Sequence, residues 1–89
     1  MNRAELISAV AERTGLTRKQ AEDALKAALE IATESLKRNE PLKITGFGTF
    51  ETRYRAEHEG HNPATGEAIS VGASRTPVFK PARTFKQKF

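Results

Sequence analysis

The chain has no cysteine, no tryptophan and a single tyrosine, and only four of its 89 residues are proline. Without cysteine, neither disulfides nor thiolate metal clusters are available, and nothing ties the protein to an oxidising compartment. Long apolar runs are also missing. Arg3, Glu5, Glu12, Arg13, Arg18 and Lys19 break up the first twenty residues, which excludes a signal peptide or a spanning helix there and makes the cytoplasm the expected location. Bulky apolar side chains are scarce as well: hydrophobic residues are 37% of the chain, but 13 of them are alanine. One domain of this length buries only about two thirds of its unfolded surface. So thin a core implies that a second copy of the chain completes it, making a homodimer.

What the chain does have is positive charge in one place. The net charge is +4, yet residues 1–40 balance at seven basic and seven acidic. The whole excess lies in residues 41–89, where Lys43, Arg53, Arg55, Arg75, Lys80, Arg83, Lys86 and Lys88 face only Glu51, Glu57, Glu59 and Glu67. Net charge of this size also occurs on ordinary soluble domains, as a solubility device. Confined to one half of a small protein, it is the electrostatic footprint of a polyanion binder, with nucleic acid the commonest partner.

The apolar pattern divides the chain at the same point. Asn2 followed by Glu5 reads as an N-cap before Leu6, Ile7, Val10 and Ala11 at helical spacing, with Gly15 ending the helix. Thr17 and Gln20 form a capping box for a second helix whose stripe runs from Ala21 through Leu25, Leu29 and Leu36 to about Arg38, closed by Asn39 and Pro41. Residues 1–40 are therefore a helical hairpin. After Pro41 the period becomes two. Leu42 and Ile44 alternate with Lys43 and Thr45, Gly46-Phe47-Gly48 turns the chain, and Phe50, Thr52 and Tyr54 alternate with Glu51, Arg53 and Arg55. A return strand begins at Ile69 and Val71 and ends at Val78 and Phe79, before Pro81. Pro81 suits the start of a last helix over 82–89, with Phe85 and Phe89 on one side and Arg83, Lys86 and Lys88 exposed.

Within the sheet segment, residues 56–74 carry three of the six glycines and only Ile69 and Val71 as bulky apolar residues. Such a stretch cannot pack a core, so it is expected to project as a hairpin with Asn62-Pro63-Ala64-Thr65-Gly66 at its tip. At about 3.3 Å per residue, the ten residues from Arg53 to Pro63 reach roughly 33 Å. A ribbon that long and narrow fits a DNA groove, with Arg53, Arg55 and Arg75 meeting phosphates. By spacing alone Arg53 and Arg55 read rather as a solvated strand face, and their place at an arm without a core reverses that in favour of phosphate contact. Pro63 is apolar, rigid and without an N–H, which suits a wedge between base steps, although Asn-Pro-x-Thr-Gly is also an ordinary turn.

Gly46-Phe47-Gly48-Thr49-Phe50, Arg53-x-Arg55, Gly60-x-Asn62-Pro63-x-Thr65-Gly66-Glu67, Ala73 and Pro77-x-Phe79-Lys80-Pro81 together resemble the HU family of bacterial histone-like nucleoid proteins, related to integration host factor. The resemblance runs the length of the chain as one domain, residues 1–89. It implies an α+β fold: a helical hairpin at 1–40, a three-stranded antiparallel sheet over 41–81 with the arm at 56–74, and a C-terminal helix, in an intertwined homodimer. It further implies that two arms enter the minor groove of double-stranded DNA and bend it. In that case Pro63 intercalates beside Asn62, Arg53, Arg55, Arg75 and Lys80 contact the backbone, and Arg3, Arg83 and Lys86 hold flanking phosphates.

The chain departs from the family on the arm, where usually basic positions hold His58, Glu59 and His61, preceded by Glu57, and Ala82 replaces a usual glycine. Weaker electrostatic affinity follows. His58-Glu59-Gly60-His61 does not have the i, i+4 helical spacing of zinc proteases, and no third ligand is placed near it. Near phosphates the protonated imidazoles are favoured, so both histidines enter the expected DNA-binding set. No catalytic constellation is present: no cysteine nucleophile, no phosphate-cradling glycine loop, no carboxylate pair in an apolar stretch. The reading is a non-enzymatic architectural DNA-binding protein of the nucleoid, with little sequence preference and a bias towards bent, nicked or flexible DNA. It needs no cofactor, metal, small-molecule substrate or membrane. Its rivals are a sequence-preferring bender of the host-factor type and a dimeric scaffold whose arms bind protein.

Overall fold

The computed structural model describes residues 1–89. Two helices come first, α1 (Arg3–Thr14) and α2 (Arg18–Lys37). The expected caps form them: the Glu5 N–H donates to Asn2 Oδ1 at 2.9 Å. The Gln20 N–H donates to Thr17 Oγ1 at 3.1 Å, and the Thr17 N–H to Gln20 Oε1 at 3.0 Å. Gly15 ends α1 at φ 76°, and Asn39 takes φ 59° just past α2, left-handed conformations that glycine and asparagine tolerate best.

Five strands follow: β1 (Leu42–Ile44), β2 (Gly48–Arg55), β3 (His58–His61), β4 (Ala68–Val71) and β5 (Ser74–Pro81), before α3 (Arg83–Lys86). They form two separate sheets, an antiparallel body in the order β1-β2-β5 and an antiparallel ribbon β3-β4. The expected single return strand is broken. Body pairing ends at Arg55 with Ser74, ribbon pairing resumes at His58 with Val71, and Ala56-Glu57 and Gly72-Ala73 lie unpaired between them. The last helix is also shorter than the expected 82–89. Pro81 stays in β5 opposite Gly48, and Ala82 becomes the cap position without a side-chain hydrogen bond.

The body packs around phenylalanine. Leu42 pairs with Phe50 and Phe50 with Phe79, so all three share one face of the sheet. Ring centroids of Phe50 and Phe79 are 4.8 Å apart, and Phe47 lies 5.2 Å from Phe79 and 4.8 Å from Phe85, which ties α3 to the sheet. The Ala82 N–H, donating to the Phe47 carbonyl at 2.9 Å, fixes the same junction.

One chain does not close a core. Only Ile7, Ala21 and Gly48 are buried, while Leu29 and Ile31 on α2 are 48% and 62% exposed. The radius of gyration is 18.6 Å and the longest dimension 57 Å. A compact domain of this length has a radius of gyration of about 12 Å.

Gly48 is the tightest point of the body: a Cβ there would lie 2.5 Å from the Phe79 ring and 2.6 Å from the Lys80 carbonyl oxygen. The second obstacle is backbone of the paired strand and cannot swing away. Gly48→Ala is therefore expected to cost about 1–3 kcal/mol through overpacking. Thermal unfolding followed by circular dichroism, at fixed protein concentration, checks this. An unchanged melting temperature would show that β2 and β5 separate freely.

Candidate nucleic-acid interface

The register sorts the charges of the body sheet. Lys43 pairs with Thr49 and Thr49 with Lys80, while Arg53 pairs with Thr76 and Arg55 with Ser74. Directly paired residues share a face and a strand alternates, so Lys43, Lys80, Glu51, Arg53 and Arg55 lie together on the face opposite the phenylalanines. Lys80 Nζ is paired with the Glu51 carboxylate, the only acidic side chain on this face. Arg53 and Arg55 are exposed and form no ion pair, so their guanidinium groups are available to an external anion. Lys43 belongs to the same face and was absent from the expected contact set. Its alternation with Leu42 and Ile44 was the available signal.

Arg75 does not join them. It pairs with Tyr54, which places it on the phenylalanine side of the sheet rather than with Arg53 and Arg55, as expected from the sequence. There its Nη2 donates to the carbonyls of Leu36 at 3.0 Å and Lys37 at 2.9 Å, at the end of α2. The physical reason is the period of two. Arg55 pairs with Ser74, so the neighbouring Arg75 points to the other side.

The ribbon carries its own division. His58 and Gly60 share a face with Ile69 and Val71, and Glu59 and His61 share the other with Ala68 and Ser70. Gly60 sits under two aliphatic side chains, since a Cβ there would lie 3.4 Å from Val71 and 3.7 Å from Ile69. One side of the arm is thus largely aliphatic, with His58 at its root, and the other polar. Glu57 lies near the polar side at the root, accepting a hydrogen bond from the Ser70 hydroxyl at 3.2 Å. His58 and His61 point in opposite directions, which separates the two rings. His58 Nδ1 lies 3.2 Å from the Ala56 carbonyl, a local contact near the break at the arm's root.

At the tip, Asn62 builds the turn that presents Pro63. Its Oδ1 accepts from the Ala64 N–H at 2.9 Å, its carbonyl from the Gly66 N–H at 2.6 Å, and its own N–H donates to the Glu67 carbonyl at 2.7 Å. Gly66 adopts φ 75°, which closes the loop. With these groups engaged in the turn, Asn62 acts first as a scaffold, and Pro63 stands exposed at the apex. The remaining expected residues lie away from the arm. Arg3 opens α1 and borders an open groove on the helical base that Lys26, Glu30, Glu34 and Lys37 also line. Arg83 and Lys86 are exposed one turn apart on α3, whose Phe85 faces the sheet.

The family model for bacterial DNA-binding proteins matches residues 1–89. Among curated relatives, the DNA-binding protein HU of Clostridium pasteurianum is 52% identical over 88 residues, spanning 99% of this chain and 97% of that protein. The HU protein of Geobacillus stearothermophilus is 45% identical over 86 residues, 97% of this chain and 96% of its own length. Among solved structures, the Anabaena HU–DNA cocrystal structure superposes with a TM-score of 0.90 at 42% identity, covering 99% of this chain and 96% of that one. HU from Thermotoga maritima gives a TM-score of 0.69 at 32% identity, with coverage of 99% and 97%. A base of two helices, a sheet with phenylalanine on one side and cations on the other, and a proline-tipped ribbon thus coincide with sequence similarity along the entire length: the chain belongs to the HU family of bacterial DNA-binding proteins.

Proposed function

We propose that this chain is a homodimeric, non-enzymatic architectural protein that bends and compacts double-stranded DNA with little sequence preference, in the bacterial cytoplasm at the nucleoid. The ribbon carries the reading. It is a two-stranded sheet outside the body, basic where it leaves the body at Arg53 and Arg55, with an exposed proline at its apex. The Anabaena relative, whose backbone superposes on this one, was crystallised with DNA.

The roles follow from position. Two chains associate through the apolar helix and sheet faces that one chain leaves uncovered, and the paired body sheets form a basic floor for the duplex. Arg53, Arg55, Lys80 and Lys43 meet phosphates along that floor, fixing the register of the duplex without reading its sequence. The arms follow the minor groove, whose donor and acceptor pattern is largely degenerate. Asn62 holds the turn and Pro63 enters a base step, so DNA that is already kinked, nicked or flexible binds best. Arg3, Arg83 and Lys86 receive the flanking phosphates as the duplex bends towards the helical base. No helix is long and apolar enough to cross a membrane.

Mobility shifts with intact, nicked and four-way-junction DNA test the reading. The distorted forms are expected to bind more tightly, and affinity to fall steeply with salt. Arg53→Ala and Arg55→Ala should each lower the slope of log affinity against log salt by about 0.9. Slopes unchanged in both variants would remove the basic floor from the interface. A preference of about a hundredfold or more among unrelated intact duplexes would instead mark a sequence-preferring bender.

Pro63→Ala is expected to leave the dimer intact by analytical ultracentrifugation while reducing the bend seen by fluorescence transfer between the ends of a labelled duplex. An unchanged bend would show that the tip grips without intercalating.

A further inference from the structure

The arm leaves the body where pairing is interrupted on both strands, at Ala56-Glu57 and Gly72-Ala73. Two unpaired segments side by side make a hinge, because no ladder hydrogen bond resists bending there. Two side chains on the body side of that hinge reach back to the end of α2. Thr52 Oγ1 donates to Asn39 Oδ1 at 2.9 Å. Arg75, the second residue of β5, donates to the Leu36 and Lys37 carbonyls, 39 and 38 residues earlier in the chain. These are among the last four carbonyls of the helix, which lack intrahelical partners, and the helix dipole makes that end electronegative. A guanidinium is well matched to it, being a permanent cation with several donors in one plane. Thr52 pairs with Pro77 and Tyr54 with Arg75, so both contacts lie on one face, the one turned from Arg53 and Arg55.

We infer that Arg75 is a positioning residue for DNA bending, a strut that joins the root of the arm to the C-terminal end of α2 and sets the angle at which the arm leaves the helical base. This rests on the DNA-bending reading and assigns Arg75 a different part in it from the phosphate contact expected from the sequence. Without the strut the root of the arm at Tyr54 and Arg75 is free to swing on α2, in addition to the bending at the hinge beyond it, and apparent affinity falls by the fraction of time the arm holds the binding geometry. An arm correctly placed one tenth of the time binds about tenfold more weakly. Charge at the phosphates is unaffected, because Arg75 faces away from them.

The test separates geometry from charge. The chain has no cysteine, so Ala64→Cys supplies one spin label at each arm tip of the dimer, and electron–electron resonance gives the tip-to-tip distance distribution without DNA. Arg75→Ala in that background is expected to broaden the distribution beyond the spread that the hinge gives the wild type and to lower DNA affinity and bend, while the salt slope stays at its wild-type value. Arg55→Ala is expected to do the reverse, keeping the wild-type distribution and losing about 0.9 of slope. A slope loss of that size in Arg75→Ala, or an unchanged distance distribution, overturns the strut. Should Arg75→Ala fail to fold, the wild-type protein decides by nuclear magnetic resonance of the guanidinium groups. Arg75 Nη signals that are resolved before DNA is added and keep their shifts afterwards support the strut, and signals that appear or move only with DNA overturn it. The distance measurement uses free protein, so failure of the wild-type chain to shift or bend DNA would count against the functional reading alone.

Discussion

The antiparallel pairing of β2 with β5 sets Phe50 against Phe79 and Thr49 against Lys80, and this register determines what each side of the body can touch. A slip of one residue would exchange the faces of one strand, sending cations towards the phenylalanines. What holds the register is shape. Gly48 lies against the Phe79 ring and the Lys80 carbonyl with no room for a side chain, so the two strands meet closely at this end. Phe47, Phe79 and Phe85 pack beside it and bring α3 onto the same end. The separation of apolar from basic surface is thus a packing result before it is an electrostatic one.

That separation leaves a single chain incomplete on its apolar side. Alanine along α2 permits close approach of another helix but contributes little area, and Leu29 and Ile31 remain in contact with water. An extended shape with three buried residues has its natural completion in a second copy, because the same faces are then covered twice over. The register therefore sets two faces at once: the incompletely covered apolar face is the reverse of the face that carries the exposed Arg53 and Arg55. Two arms on opposite sides of one body follow from the symmetry of such a pair.

Much of this was legible in the sequence because it is written in short-range chemistry. Asn2, Thr17 with Gln20, and Gly15 specify helix ends through local hydrogen bonds and local backbone preference. The change from helical to alternating period at Pro41 marks the sheet, and the poverty of apolar residues in 56–74 marks the arm. What escaped depended on pairing between distant strands. The break at Gly72-Ala73 reflects where β5 stops matching β2. The placement of Arg75 against α2 needs both the register and the position of a helix end nearly forty residues away. Lys43 was visible as an alternating cation, but its membership of the Arg53 face came only from its pairing with Thr49. Pro81 has a backbone that suits either a strand end or a helix start, and the Gly48 contact decided for the strand.

The arm shows how charge and shape divide the work of binding. Its polar side carries Glu59 and His61 and lies near Glu57; its other side offers Ile69 and Val71 beside Gly60, with His58 at the root. Residues 56–74 hold no lysine or arginine, and cations lie instead on the body face, with Arg53, Arg55 and Lys43, and on the base, with Arg3. An apolar strip, a rigid turn held by Asn62 and a proline without an N–H all act at short range and gain most where base pairs are already parted. In the proposed function a less basic arm makes binding more dependent on deformed DNA, because short-range contacts keep their effect where long-range attraction is reduced. The angle at which Pro63 would arrive then matters as much as the charge behind it, and the only cation on the phenylalanine side of β5, Arg75, is bound to the end of α2.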